Sequence, residues 1–257
     1  MDQQRKHDLC LYLVKRLMKE RLDNGGYITQ ALLDIVPAKE EMDRASTNQL
    51  WLAFRALVNM REPWRADADL LAAQDELLQG MIEEAGITTI EGTTVSPLDP
   101  RLRLWKGDIT TLATDAIVNA ANSGMTGCWA PLHYCIDNAI HTFAGIQLRY
   151  ECARIMIKQG HEEPTGQAKV TPAYNLPAKH VIHTVGPIAN GALKDKLREQ
   201  LASSYRSCLD ASVEAGDTSV AFCCISTGVF GFPAKDAARI AVKTVQDWLD
   251  DRESAGK

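Results

Sequence analysis

Residues Ala116–Gly145 read A-I-V-N-A-A-N-S-G-M-T-G-C-W-A-P-L-H-Y-C-I-D-N-A-I-H-T-F-A-G. The opening run, Ala116 to Asn119, is short, apolar and β-branched, and it closes on asparagine and glycine, which predicts a strand. From Leu132 to Ala144 the spacing becomes helical. Cys128, His133 and Cys135 fall between the two patterns, beside Asn122 and Asp137. Thiolate and imidazole suit a borderline-soft ion such as zinc, and three protein ligands would leave one position free for water or a substrate oxygen. The C-x4-H-x-C spacing is unlike that of a zinc finger. A fourth ligand from His141, Cys152, Cys223 or Cys224 would instead close the site, and spacing alone leaves both arrangements open.

Outward from this stretch, strand-like runs at Arg101–Trp105, Ala168–Pro172, His180–Val185 and Ser219–Ile225 alternate with helical patterns at Ala192–Ala215 and Ala234–Leu249. Such alternation predicts an α/β layer structure with helices on both faces of a sheet and functional loops at the strand ends. Residues 1 to about 86 read differently. Leu9, Leu13 and Leu17 recur at helical spacing before a Gly25-Gly26 stop, and further helices are expected over Asn48–Met60 and Asp67–Glu84, the last ended by Gly86. The change of character at T-T-V-S-P-L-D-P (93–100) sets the expected division: a helical extension over 1–95 and an α/β domain over 96–257.

With a net charge of -5 and no stripe of lysine or arginine, the chain is not expected to bind long nucleic acids. The apolar run Leu9–Val14 is far short of the roughly 20 residues a membrane span needs, so no membrane association is expected. Seven cysteines, an odd number and unevenly spread, read as reduced thiols in the cytoplasm rather than a disulfide framework.

Six motifs follow one another in order: G-D-I-T (107–110), A-I-V-N-A-A-N (116–122), I-D-N-A-I-H-x-F-A-G (136–145), G-x-A-x-x-T-P-A-Y-x-L-P (166–177), V-I-H-T-V-G-P (181–187) and C-I-S-T-G-V-F-G-F-P (224–233). Over residues 96 to 250 the chain resembles the macrodomain family of ADP-ribose binding modules and ADP-ribosyl hydrolases. G-C-W-A-P-L-H-Y-C stands where most hydrolytic members carry a glycine-rich run, so the resemblance is to the zinc-containing subclass, which also has an N-terminal helical extension. It implies a three-layer fold with a mixed central sheet flanked by helices.

The resemblance also implies roles for residues that physical chemistry already singles out. The loop Ser226, Thr227, Gly228, Val229, Phe230 and Gly231 precedes a helix expected at Ala234, so its amides and the helix N-terminus can hold a diphosphate without lysine. Asp108 and Ile109 would read the adenine, although Asp108 followed by Thr110 is equally a helix N-cap. Asn122 would sit beside the distal ribose, while Asn119, His141 and His183 read as structural. Cys128, His133 and Cys135 would bind Zn2+. Asp137 would act as a general base, and an aspartate on a first helical turn also complements the helix dipole.

The expected function is zinc-dependent removal of mono-ADP-ribose from modified protein side chains, with Asn122 and Asp137 as catalytic residues. ADP-ribosylated protein and ADP-ribose are the expected ligands. The resemblance extends the partners to a sirtuin-type ADP-ribosyltransferase and a lipoyl-carrier protein. Two alternatives stay open at this level: a module that binds ADP-ribose without cleaving it, and a deacetylase of O-acetyl-ADP-ribose.

Overall fold

In chain order the helices and strands are α1 (Gln3–Asp23), α2 (Gln30–Leu33), α3 (Thr47–Asn59), α4 (Ala68–Ala85), β1 (Thr88–Thr89), β2 (Thr94–Val95), β3 (Arg103–Leu104), β4 (Leu112–Ala113), β5 (Ala116–Ala120), α5 (Ile136–Ala144), α6 (Ile146–Gln159), β6 (Ala168–Pro172), β7 (His180–Thr184), α7 (Asp195–Ala215), β8 (Val220–Ala221) and α8 (Ala234–Ser254). The computed structural model describes residues 1–190 and 193–255. It divides into two compact units. Unit 1 takes in Met1–Gly86, Thr126–Ala153 and Tyr174–Leu176, and unit 2 takes in Ile87–Met125, Arg154–Ala173 and Pro177–Lys257.

The helices of unit 1 start where side chains can satisfy their first amides. Asp2 accepts from Gln4 and Arg5, Asp67 accepts from Leu70, and Ser46 forms a capping box with Gln49 at the head of α3. Each helix then turns one apolar face inward. Leu9, Leu13 and Leu17 of α1, Leu50, Phe54 and Leu57 of α3, and Leu70 and Leu77 of α4 share one buried cluster. Ile146 belongs to the same cluster, and Leu132 and Phe143 pack against it, so the segment 126–153 is held by the core of the N-terminal helices. Gly25 at φ +74° and Gly86 at φ +88° follow α1 and α4, as the sequence predicts.

Unit 2 is built on a four-stranded sheet in the order β6-β7-β5-β8, with β5 parallel to β7 and β8 and β6 antiparallel to β7. The sheet is mixed, as expected, and α7 and α8 flank it. In β5 the residues Ala116, Ile117, Val118 and Asn119 are all buried, the continuous burial of an inner parallel strand. Val118 and Ile182, directly paired, pack with Leu201, Tyr205, Cys208, Ile225 and Phe232. At the strand starts the Asp115 carboxylate accepts from the backbone N–H and hydroxyl of Thr218 and pairs with Lys179 at 2.6 Å, contacts that hold it well below the usual carboxylate range. The opposite, carboxyl ends of β5 and β7 lead into Asn122 and Gly186.

Four expectations change. The strand read over Ser219–Ile225 narrows to Val220–Ala221, because β8 pairs only with the start of β5 and the Ile225 N–H then turns back to the Cys223 carbonyl. The strand read over Arg101–Trp105 narrows to Arg103–Leu104, paired with β2. The helix read from Leu132 begins at Ile136, since Leu132 has φ +59° and Cys135 is an extended N-cap. Ala192, the expected start of a helix, lies outside the described residues, and α7 runs from Asp195. The helix α6 has no counterpart in the sequence reading.

Candidate active site

The three candidate donors lie in unit 1, on the loop that leads into α5. Gly127 has φ +82°, and a β-carbon there would lie 2.8 Å from Cγ of His141, so both conformation and space require glycine. Side chains then pin the loop. Leu132 N–H donates to Asn59 Oδ1 at 3.0 Å, Asn138 Nδ2 donates to the Ala130 carbonyl at 3.1 Å, and Trp129 Nε1 donates to Thr126 Oγ1 at 3.1 Å. As a result one donor atom from each of Cys128, His133 and Cys135 lies within 4.8 Å of the others, with Cys128 Sγ 3.5 Å from His133 Nδ1.

This donor set fits zinc. Two sulfurs and an imidazole converge at a partly exposed position, and Cys135 Sγ accepts the Asn138 N–H at 3.4 Å as the N-cap of α5. Burial, with the nearby Cys128 sulfur, pushes the Cys135 thiol up to about 11, so in the absence of a cation this thiol keeps its proton near neutrality. A coordinated cation would reverse that preference. Among the described residues this cluster of mutually close donors has three members, and neither His141 nor Cys152 of the same unit joins it. Asp137 follows two residues after Cys135. Its carboxylate is buried, 3.6 Å from His141 Nε2 on the next turn of α5.

Unit 2 carries the residues expected to meet the nucleotide. Asp108 Oδ1 accepts from Thr110 N–H at 2.9 Å and from Thr110 Oγ1 at 2.7 Å, the N-cap reading realised with one carboxylate oxygen. Ile109 is buried behind it. Asn122 Oδ1 accepts the Gly124 N–H at 2.9 Å and so shapes the turn after β5. Asn119 is a buried strand residue, its Nδ2 3.1 Å from His183 Nδ1, while Thr171 Oγ1 lies 3.0 Å from His183 Nε2. Burial pushes His183 down to about 3, so the ring is neutral near pH 7.

The loop 226–231 has the features of an anion cradle. Thr227 N–H donates to the Cys224 carbonyl, Gly231 N–H to the Gly228 carbonyl and Phe232 N–H to the Ser226 carbonyl. Among the described residues the N–H groups of Gly228, Val229 and Phe230 make no such bond. Ser226 has φ +65°, and its buried hydroxyl has no partner there either. An orphaned buried hydroxyl costs roughly 1–3 kcal/mol. Gly186 makes the loop possible, because a β-carbon there would come within 2.1 Å of Ser226 Oγ. Pro233 gives α8 no side-chain cap, which leaves the positive end of that helix to the loop.

Sequence reasoning passes over three residues that build these sites: Asn59, Arg149 and Gly186. Gly186 carries a signal, standing inside a quoted stretch, but Asn59 and Arg149 look like ordinary helix residues until the helix packing brings them to the donor loop.

The Macro domain family matches residues 118–241. A protein-ADP-ribose hydrolase of Treponema medium is 57% identical over 210 residues, covering 80% of each chain. One of Staphylococcus aureus (strain MRSA252) is 41% identical over 251 residues, covering 96% of this chain and 87% of its own. Among solved structures, the Trypanosoma brucei macrodomain in complex with ADP-ribose aligns with a TM-score of 0.58 at 31% identity, over 77% of this chain and 84% of its own. The Oceanobacillus iheyensis macrodomain with ADP aligns with a TM-score of 0.52 at 39% identity, over 56% of this chain and 74% of its own.

Proposed function

The chain belongs to the macro domain family, and from that membership we propose that it is a zinc-dependent hydrolase that removes mono-ADP-ribose from protein side chains. The observation that carries the zinc part of this reading is the convergence of Cys128, His133 and Cys135 within 4.8 Å of one another. The hydrolase part rests on the relatives, which are protein-ADP-ribose hydrolases covered over most of their length.

The residues divide the work. The N–H groups of Gly228, Val229 and Phe230 and the Ser226 hydroxyl bind the diphosphate, so that binding energy from a remote part of the substrate is spent on placing the bond to be cut. Asp108, with one carboxylate oxygen engaged in its cap, uses the other to accept from the adenine amine, and the Ile109 N–H meets a ring nitrogen. Asn122 orients the distal ribose through its amide. Bound zinc would lower the pKa of a bound water toward about 7 or polarise an oxygen of the scissile linkage. Asp137 takes up a proton at its carboxylate, which lies 3.6 Å from Nε2 of His141.

Partners follow from the same reading: ADP-ribosylated protein as substrate, ADP-ribose as product, and a sirtuin-type ADP-ribosyltransferase with a lipoyl-carrier protein as functional companions. A cytoplasmic location belongs to this reading as well. Among the described residues no helix is long and apolar enough to cross a membrane.

Zinc content measured on the purified chain, together with release of label from a mono-ADP-ribosylated protein with and without chelator, tests the proposal. We expect close to one zinc per chain, competition by free ADP-ribose, and loss of most of the rate with chelator or in Cys128→Ala. Full activity of a metal-free preparation would overturn the zinc role. Tight ADP-ribose binding with no label released would make the chain a binding module.

A further inference from the structure

Arg149 of α6 is buried, and among the described residues no carboxylate oxygen lies within 4.0 Å of it, although the charges of Asp137 and Glu62 act on it. Its guanidinium donates to backbone carbonyls instead: Nε to Thr126 at 2.7 Å, Nη2 to Cys128 at 3.3 Å, and Nη1 to Val58, Asn59 and Arg61 at 3.0, 2.7 and 2.9 Å. The Trp129 ring covers it, 4.2 Å from the guanidinium carbon.

The five carbonyls belong to two places. Those of Val58 and Asn59 end α3 and that of Arg61 follows its C-cap, where the helix dipole is negative, so a cation is favoured there. Those of Thr126 and Cys128 belong to the donor loop, and Cys128 is itself a candidate zinc ligand. One planar, five-donor group therefore fastens the donor loop to the end of α3, a geometry lysine cannot reproduce. Asn59 adds a second tie through Leu132 N–H, and Arg55 a third, its Nη2 3.3 Å from Oδ1 of the Asn138 that holds Ala130.

We propose that Arg149 is a positioning residue for the zinc donors, and that through it the N-terminal helices are a working part of the reaction centre. This rests on the zinc reading above. Residues behind a metal's ligands typically change its affinity about 10–100-fold when replaced.

The test uses the full-length chain with Arg149→Lys, Arg149→Met and Trp129→Leu. Zinc affinity is read by competition with a chromophoric chelator, and ligand geometry by the absorption spectrum of the cobalt(II)-substituted protein. We expect the zinc Kd to rise about 10–100-fold in Arg149→Met, less in Arg149→Lys and about threefold in Trp129→Leu, with altered cobalt bands in each. A purely structural arginine would lower Tm but leave the zinc Kd and the cobalt spectrum of the folded protein unchanged, and that result overturns the inference. Should Arg149→Met fail to fold, Arg149→Lys and the half-exposed Trp129→Leu decide the question. Wild-type protein that binds no zinc would remove this inference and the zinc reading together, whereas wild-type binding equalled by the variants would remove this inference alone.

Discussion

A β-carbon at Gly127 would meet the His141 ring at 2.8–3.0 Å, on a backbone already at φ +82°. Gly127→Ala is therefore expected to cost about 1–3 kcal/mol, seen as a lower Tm, and to loosen the loop that holds Cys128. His183 makes a second prediction. Its folded pKa of about 3 lies below the value of 6.5 for an exposed histidine, so between those values the unfolded chain binds more protons than the folded one. The stability it contributes is complete above pH 6.5 and is lost progressively as the pH falls toward 3. At about 1.4 kcal/mol per pH unit this amounts to a few kcal/mol. Unfolding midpoints measured across pH 3–7 should fall on the acid side, and His183→Gln should flatten that slope.

Two glycines of the loop between β8 and α8 behave differently under the same substitution. Gly231 sits at φ +65°, and a β-carbon added there would be 3.8 Å from its nearest neighbour, so alanine meets backbone strain alone, whereas Gly228 has ordinary φ and open space around it. Gly231→Ala is expected to cost about 1–2 kcal/mol and to weaken ADP-ribose binding several-fold by calorimetry. Gly228→Ala should fold as well as wild type. At the level of α5, the helix starts at Ile136 because Cys135 takes the N-cap position and presents its sulfur to the first turn. That start is why the chain can offer a thiolate donor and a helix N-terminus at the same residue.

For the whole molecule, the consequence lies in how the chain is shared out. Thr126–Ala153 has its hydrophobic partners in residues 1–86, since Ile146, Leu132 and Phe143 join the cluster formed by α1, α3 and α4. A chain beginning at residue 87 would expose that apolar surface and leave Arg149 without Val58, Asn59 and Arg61. It is expected to bind no zinc and to show fast amide exchange over 126–153. Retention of zinc with full exchange protection in that fragment would contradict this.

Local signals make much of the chain legible. The leucine spacing of α1, the glycine stops after α1 and α4, the strands at Ala168–Pro172 and His180–Thr184, and the C-x4-H-x-C run all act through neighbours a few residues apart, where side-chain chemistry and backbone period suffice. The helix α6 escapes such reading because its buried residues, Ile146, Leu148, Arg149 and Cys152, mix with charged ones and include an arginine that no sequence rule places inside. Narrowing of the Ser219–Ile225 strand to β8 depends on which strand lies alongside, and that is a matter of sheet order. The residue types for metal and anion binding, and the alternation of an α/β chain, can be read from the order of amino acids with no coordinates at all. Anchoring of the donor loop to the end of α3 cannot, because an arginine's five hydrogen-bond partners, drawn from segments about 90 and 20 residues away, become neighbours only when the helices pack.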